Sequence, residues 1–212
     1  HKSVYNSLYS YPRFTWQTVV PDQRRKSRHD INDDFGKAVE IFLSLSDKCK
    51  DSPLYFNDAI EFASLWLGEL ADRHYEKALK LGKTDKGREE LRKTVALLTD
   101  VDRLLASHPL HRLDRWIADA RNEGSSIEKD HREANAKRLI TTWGGWQEDY
   151  AARFWSGLIK DYYIPRLEIH FSEKADMMEE WKEEWINTPY HSNTKPFDSP
   201  LEVAKELIAN EK

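Results

Sequence analysis

The sequence predicts an all-α fold, an irregular bundle of about seven to eight helices, and three observations carry that prediction. Apolar residues recur at alternating spacings of three and four along most of the chain. β-Branched runs, Asn-Gly turns and sustained two-residue alternation are nearly absent. Ser, Thr, Asp, Gly and Pro stand where helices of ordinary length need caps and stops. At 212 residues the chain suits one fairly large domain. Its 33% charged and 39% hydrophobic residues suit a packed, water-facing helical protein and argue against disorder.

Residues 1–29 lack helical periodicity and carry Tyr5, Tyr9, Pro12, Phe14, Trp16 and Pro21. They read as an extended aromatic arm that contacts a preceding domain, with residues 30–212 as the all-helical domain. The first helix is expected from Asp30 to about Lys48, with Ile31, Phe35, Val39 and Phe42 on one side. Ser52 then caps a long helix with Pro53 at its first position. Phe56, Ile60, Ala63, Leu67, Leu70 and His74 make its stripe, and Gly82 stops it. Thr84 or Asp85 caps the next, striped by Leu91, Thr94, Leu98, Val101 and Leu105 until Ser107-His108-Pro109.

A shorter helix carries Leu110, Leu113, Trp116 and Ile117 to Gly124. Ser125 or Ser126 caps another running to Trp143, with Glu128 and Asp130 suiting its N-terminal dipole. After Gly144-Gly145 a helix is expected from Asp149, with Tyr150, Phe154, Trp155, Leu158, Ile159, Tyr162 and Tyr163 forming a wide buried stripe. Pro165 should end or kink it. Residues 166–186 continue as helix, 187–198 form a loop, and Ser199-Pro200 starts a final short helix.

Several chemistries find no support. A net charge of −4 presents no basic face for nucleic acid, and the run Arg24-Arg25-Lys26 with Arg28 is offset by Asp30, Asp33 and Asp34. No apolar run approaches the ~18 residues of a membrane span. Cys49 has no partner thiol, no His-Glu-x-x-His pattern occurs, and neither a phosphate loop nor a nucleophile elbow is present, so no metal, cofactor or catalytic residue is expected. His108 and His111 read as exposed turn residues, and His74, on the apolar stripe of the long helix, as a hydrogen-bonded core residue and not a metal ligand. The chain opens on His-Lys-Ser without a signal-like segment and reads as part of a longer polypeptide.

The most distinctive stretch is 135–166, which holds three of the eight Trp and three of the nine Tyr. Trp, Tyr and an acid are the residues that stack on sugar faces and bond their hydroxyls, and they are equally the residues that fill cores. Trp155, Tyr162 and Tyr163 fall inside the stripe and read as core. Trp143 and Trp146, flanking the glycine pair, are open to either role, and Asp149 reads as a helix cap or a sugar contact.

In this stretch Asn135, Thr141, Trp143-Gly144, Asp149-Tyr150-Ala151, Gly157-Leu158, Tyr162-Tyr163 and Pro165-Arg166 resemble the C-terminal helical domain of family 89 glycoside hydrolases, the α-N-acetylglucosaminidases. Asn57-Asp58, the run from Leu70 to Ala78 and His108-Pro109 resemble it too. The chain departs from the family pattern at Lys137, where the family has Arg, and at Gly145, where it has Pro. The resemblance implies an accessory domain of an exo-acting hydrolase of terminal α-linked N-acetylglucosamine. That domain packs on a preceding (β/α)₈ barrel that holds the catalytic glutamates, and the isolated chain would be inactive. It implies Trp143, Trp146, Asp149 and Tyr150 as substrate-cleft residues and Asn135, Gly144, Tyr163 and Arg166 as structural ones. It also implies a glycan substrate, the barrel of the same polypeptide as partner, and export to a periplasmic, extracellular or lysosomal space. The competing class is a free-standing helical interaction module docking through the 1–29 arm.

Overall fold

The computed structural model describes residues 29–123, 125, 128–142 and 153–212. Among them the architecture is all-α, with nine α-helices and no strand. These are α1 (His29–Leu43), α2 (Ser46–Cys49), α3 (Pro53–Leu81), α4 (Asp85–Leu105), α5 (Leu113–Asn122), α6 (Lys129–Ile140), α7 (Ile164–Phe171), α8 (Met178–Asn187) and α9 (Pro200–Asn210). A π turn, Ile159–Tyr163, leads into α7. The aromatic arm, apart from its last residue His29, lies outside the described residues.

The antiparallel α3–α4 hairpin is the spine. Ser52 caps α3 by accepting the Tyr55 N–H at 3.2 Å, with Pro53 in the first turn. Gly82, at φ +61°, ends it and returns its N–H to the Leu79 carbonyl. Thr84 accepts the Gly87 N–H and opens α4. The hairpin turns so tightly that a Cβ on Gly87 would sit 1.9 Å from the Gly82 carbonyl oxygen. Ile60, Ala63 and Leu67 of α3 meet Thr94, Leu98 and Val101 of α4, and all six are fully buried. Each large apolar side chain so buried is worth roughly 1.5–3 kcal/mol over its exposed state.

Around this spine α1 lays Phe42 on Tyr55, rings 4.7 Å apart, and the Tyr55 hydroxyl donates to the Phe42 carbonyl at 2.8 Å. α9 closes the same side through Ala204 and Ile208. α5 and α6 pair beside them, the Trp116 Nε1–H donating to the Ala136 carbonyl at 3.1 Å. Tyr162, between Trp181 and Trp185 of α8, completes an aromatic core with Tyr163.

The structure corrects five expected boundaries. The first helix breaks at Ser44-Leu45 before the short α2, and α6 runs only from Lys129 to Ile140. Residues 153–157 are not helical; helix begins at Leu158, because Gly157 stands at φ +88° and the preceding residues pair with another segment. Pro165 does not end its helix. It occupies the first turn of α7, and the wider π turn ahead of it, closed by the Ile164 N–H on the Ile159 carbonyl, removes the clash a proline ring makes inside an α-helix. The expected 166–186 helix is interrupted between Phe171 and Met178 by a short 3₁₀ turn. Leu110, expected on a stripe, is exposed.

Replacing Ser52 with Ala removes the acceptor of the α3 cap and is expected to cost about 1 kcal/mol of stability. Urea unfolding of the two proteins, followed by helical circular dichroism, reads the difference.

Candidate functional site

The residues expected to form a cleft wall, Trp143, Trp146, Asp149 and Tyr150, lie outside the described residues, as does Gly144. What the structure describes is how the chain enters and leaves the 143–152 segment.

On the leaving side the organiser is Asp102, a fully buried carboxylate of α4. It accepts the Gly157 N–H at 2.6 Å, the Lys160 N–H at 3.2 Å, the Thr194 hydroxyl at 2.7 Å and the Ser156 hydroxyl at 3.4 Å. Asp102 therefore caps the helix that starts at Leu158 from a different element, and ties the 188–198 loop to the same point. Burial pushes its carboxyl above the usual range, opposed by these donors. Asp161 nearby is pushed up to about 6, by burial first and by Asp102 second. Gly157 admits the Tyr190 hydroxyl, which a Cβ would meet at 1.9 Å.

Residues 153–156 are held along the 111–113 segment. The Ser156 N–H donates to the His111 carbonyl at 2.8 Å, and the Leu113 N–H to the Ser156 carbonyl at 2.9 Å. The Tyr163 hydroxyl donates to the Arg153 carbonyl at 2.9 Å. Trp155 lies against Trp116, ring centroids 6.0 Å apart. His111 is buried, contrary to its expected exposure, with Nε2 3.0 Å from Asn57 Oδ1. As the amide oxygen only accepts, Nε2 carries the proton. Burial, then the neighbouring His108, lowers its pKa to about 4.

On the entering side Lys137 of α6 is buried to 1% exposure. Its ammonium donates to the carbonyls of Trp185, Ile186 and Thr188 at the end of α8 and pairs with Glu133 at 3.2 Å. Glu133 also pairs with Arg121 of α5 and accepts the Tyr190 N–H at 2.5 Å. Burial lowers the Lys137 pKa, with Glu133 working against it. The Thr141 hydroxyl donates back to the Lys137 carbonyl at 2.7 Å. Beside this network an open groove of about 700 Å³ is bordered by Ile117, Arg121, Lys129, Tyr190 and His191.

Of the four residues assigned structural roles, three are described. Asn135 is exposed on α6, Tyr163 is fully buried, and Arg166 is buried with its guanidinium 5.5 Å from the Tyr162 ring centroid. Among the described residues no three His, Cys, Asp or Glu side chains gather as metal ligands. Sequence reasoning missed Asp102, His111 and the Glu133–Lys137 pair. A signal existed for Asp102, which falls four residues after Leu98 and three before Leu105, on the inward face. Lys137, three residues before Ile140, lies on one too.

Comparison with known proteins gives concordant matches. The alpha-N-acetylglucosaminidase C-terminal domain family matches residues 3–210. The chain is 28% identical over 150 residues to the alpha-N-acetylglucosaminidase of Homo sapiens, covering 68% of this chain and 20% of that protein. It superposes on a family 89 glycoside hydrolase from Clostridium perfringens in complex with PUGNAc, with a TM-score of 0.72 and 26% identity over 85% of this chain and 24% of the other. A structure of the Clostridium perfringens enzyme in complex with its substrate GlcNAc-alpha-1,4-galactose gives 0.68, also at 26% identity, over 84% of this chain and 23% of that one. The chain thus spans about a fifth to a quarter of the length of these relatives.

Two predictions follow from the buried polar groups. Lys137→Ala leaves Glu133 with Arg121 and the Tyr190 N–H and orphans the α8 carbonyls, and is expected to cost about 3 kcal/mol, the lower end for breaking a buried pair; chemical denaturation measures it. His111 has a folded pKa near 4 against 6.5 for a free histidine. Its contribution is complete above pH 6.5, falls as the unfolded chain takes up a proton the folded one refuses, and levels off below pH 4, a loss of up to about 3 kcal/mol. Asp161, raised to about 6, acts in the opposite direction over the same interval. Because wild type and His111→Asn share Asp161, the stability gap between them should narrow by about that much from pH 7 to pH 4. A gap that stays constant with pH would exclude the assignment.

Proposed function

Because the chain belongs to the alpha-N-acetylglucosaminidase C-terminal domain family, we propose that it is the helical accessory domain of an exo-acting α-N-acetylglucosaminidase. It packs on a catalytic barrel of the same polypeptide and helps close the cleft that receives a terminal α-linked N-acetylglucosamine. One observation carries this reading: the family matches almost the whole chain, while the chain spans only about a fifth to a quarter of relatives that are themselves glycosidases. The same partial span favours this reading over a free-standing interaction module.

On this reading the helical domain supplies rigidity and the 143–152 segment supplies contact. Trp143 and Trp146 offer ring walls, Asp149 a hydroxyl acceptor or loop anchor, and Tyr150 a hydroxyl donor. Asp102 and Lys137 hold the residues at the two ends of the segment to the core. The aromatic arm, residues 1–29, lies toward the preceding domain. Export follows from the same reading, and among the described residues no helix is long and apolar enough to cross a membrane.

The test uses an aryl α-N-acetylglucosaminide. The 212-residue chain alone is expected to give no turnover, whereas the full-length polypeptide cleaves it; robust turnover by the chain would overturn the assignment. In the full-length enzyme Trp143→Ala should lower kcat/KM roughly threefold to tenfold, the worth of one ring contact. An unchanged value would remove Trp143 from the cleft.

A further inference from the structure

His74 projects from α3 between two carboxylates that belong to other elements. Its Nδ1 lies 2.6 Å from Glu90 Oε2 on α4, and its Nε2 lies 2.8 Å from Glu211 Oε2, one residue past the end of α9. A neutral imidazole has one N–H and one lone pair, so it can donate to only one of these oxygens and would turn its lone pair on the other. With both carboxylates ionised, the two contacts are satisfied together only by the imidazolium, which donates from both nitrogens.

The other charges around the ring fix which side yields when that proton leaves. Lys93 of α4 donates to Glu90 at 2.8 Å, so Glu90 keeps a partner, while Glu211 lies near enough to attract the same ammonium. Through His74 first and Lys93 second, Glu90 is held near a pKa of 2 and stays ionised. On α3, Arg73 is taken up by Glu69 and by Asp33 of α1. Lys212, next to Glu211, pairs with Glu40 of α1 at 2.7 Å. Glu211 sits on the last turn of chain beyond α9, with His74 as its hydrogen-bonding partner.

We propose that His74 is a proton-operated clamp, fastening the end of α9 to the α3–α4 hairpin as an imidazolium and releasing Glu211 as a neutral ring. Opening is confined to the end of α9, because Ala204 and Ile208 remain anchored in the core. Acid fastens the clamp and alkali loosens it, since the ring holds its second proton in acid and gives it up in alkali. The clamp needs no catalytic role and stands independently of the proposed function.

The experiment is amide hydrogen exchange of the 212-residue chain from pH 5 to 8.5, corrected for intrinsic exchange, beside an NMR titration of the His74 ring. Protection of amides 209–211 should fall about tenfold or more in step with loss of the His74 proton, the worth of one charge-assisted hydrogen bond. In Glu211→Gln the amide can donate to the neutral ring, so protection should persist and the pH step disappear. His74→Gln should leave the helix end loosened at every pH, with circular dichroism checking that it folds; Glu211→Gln, at the surface, decides the matter if it does not. A wild-type chain without the step, or a step that survives in Glu211→Gln, would overturn the proposal.

Discussion

A carboxylate withdrawn from water in the middle of a helical bundle must be surrounded by donors or it will not stay ionised and in place. Asp102 meets that requirement with backbone N–H groups of Gly157 and Lys160 and hydroxyls of Ser156 and Thr194. Those donors come from parts of the chain about 50 to 90 residues away from Asp102. The need to satisfy one anion thus fixes where the π turn begins, which way residues 153–156 run, and where the 188–198 loop returns. Gly157 is part of the same constraint, since its backbone conformation aims the N–H at Asp102 while its missing side chain leaves room for Tyr190.

Lys137 solves the inverse problem on the other flank. A buried cation is met by carbonyls at the end of α8 and by Glu133, which in turn holds Arg121 and the Tyr190 backbone. Tyr190 is the link between the two solutions, its N–H on the lysine side and its hydroxyl against Gly157. The two ends of the 143–152 segment are therefore held by one continuous polar framework. Ion-paired groups of this sort contribute little net stability against an apolar alternative, but they are intolerant of displacement.

The apolar skeleton was legible in the residues. Ile60, Ala63 and Leu67 against Thr94, Leu98 and Val101 announce themselves by spacing, and Ser52-Pro53, Gly82 and Thr84 mark ends that local hydrogen bonding alone decides. His74 was legible as a hydrogen-bonded residue, because its place on a stripe requires its polar atoms to be met. The polar framework was not legible. Asp102, Glu133 and Lys137 look like members of a solvated ion-pair face until their inward phase is weighed, and most of their partners lie about 50 to 90 residues away. Pro165 was legible in part: it does not end the helix, but regular α geometry gives way to a π turn directly before it. The residues expected to touch sugar fall in 143–152, so their cleft role rests on resemblance and remains the substance of the proposal.

The separation of those partners bears on how the molecule assembles. The α3–α4 hairpin joins neighbours through a turn of a few residues, so its interface closes over short loops. The Asp102 junction joins residues 102, 156–160 and 194, and closing such loops carries a larger entropic cost that is recovered only when all the donors arrive. Until then the Asp102 carboxylate keeps its water. Closing the hairpin therefore costs less chain entropy than closing the junction that supports the 143–152 segment.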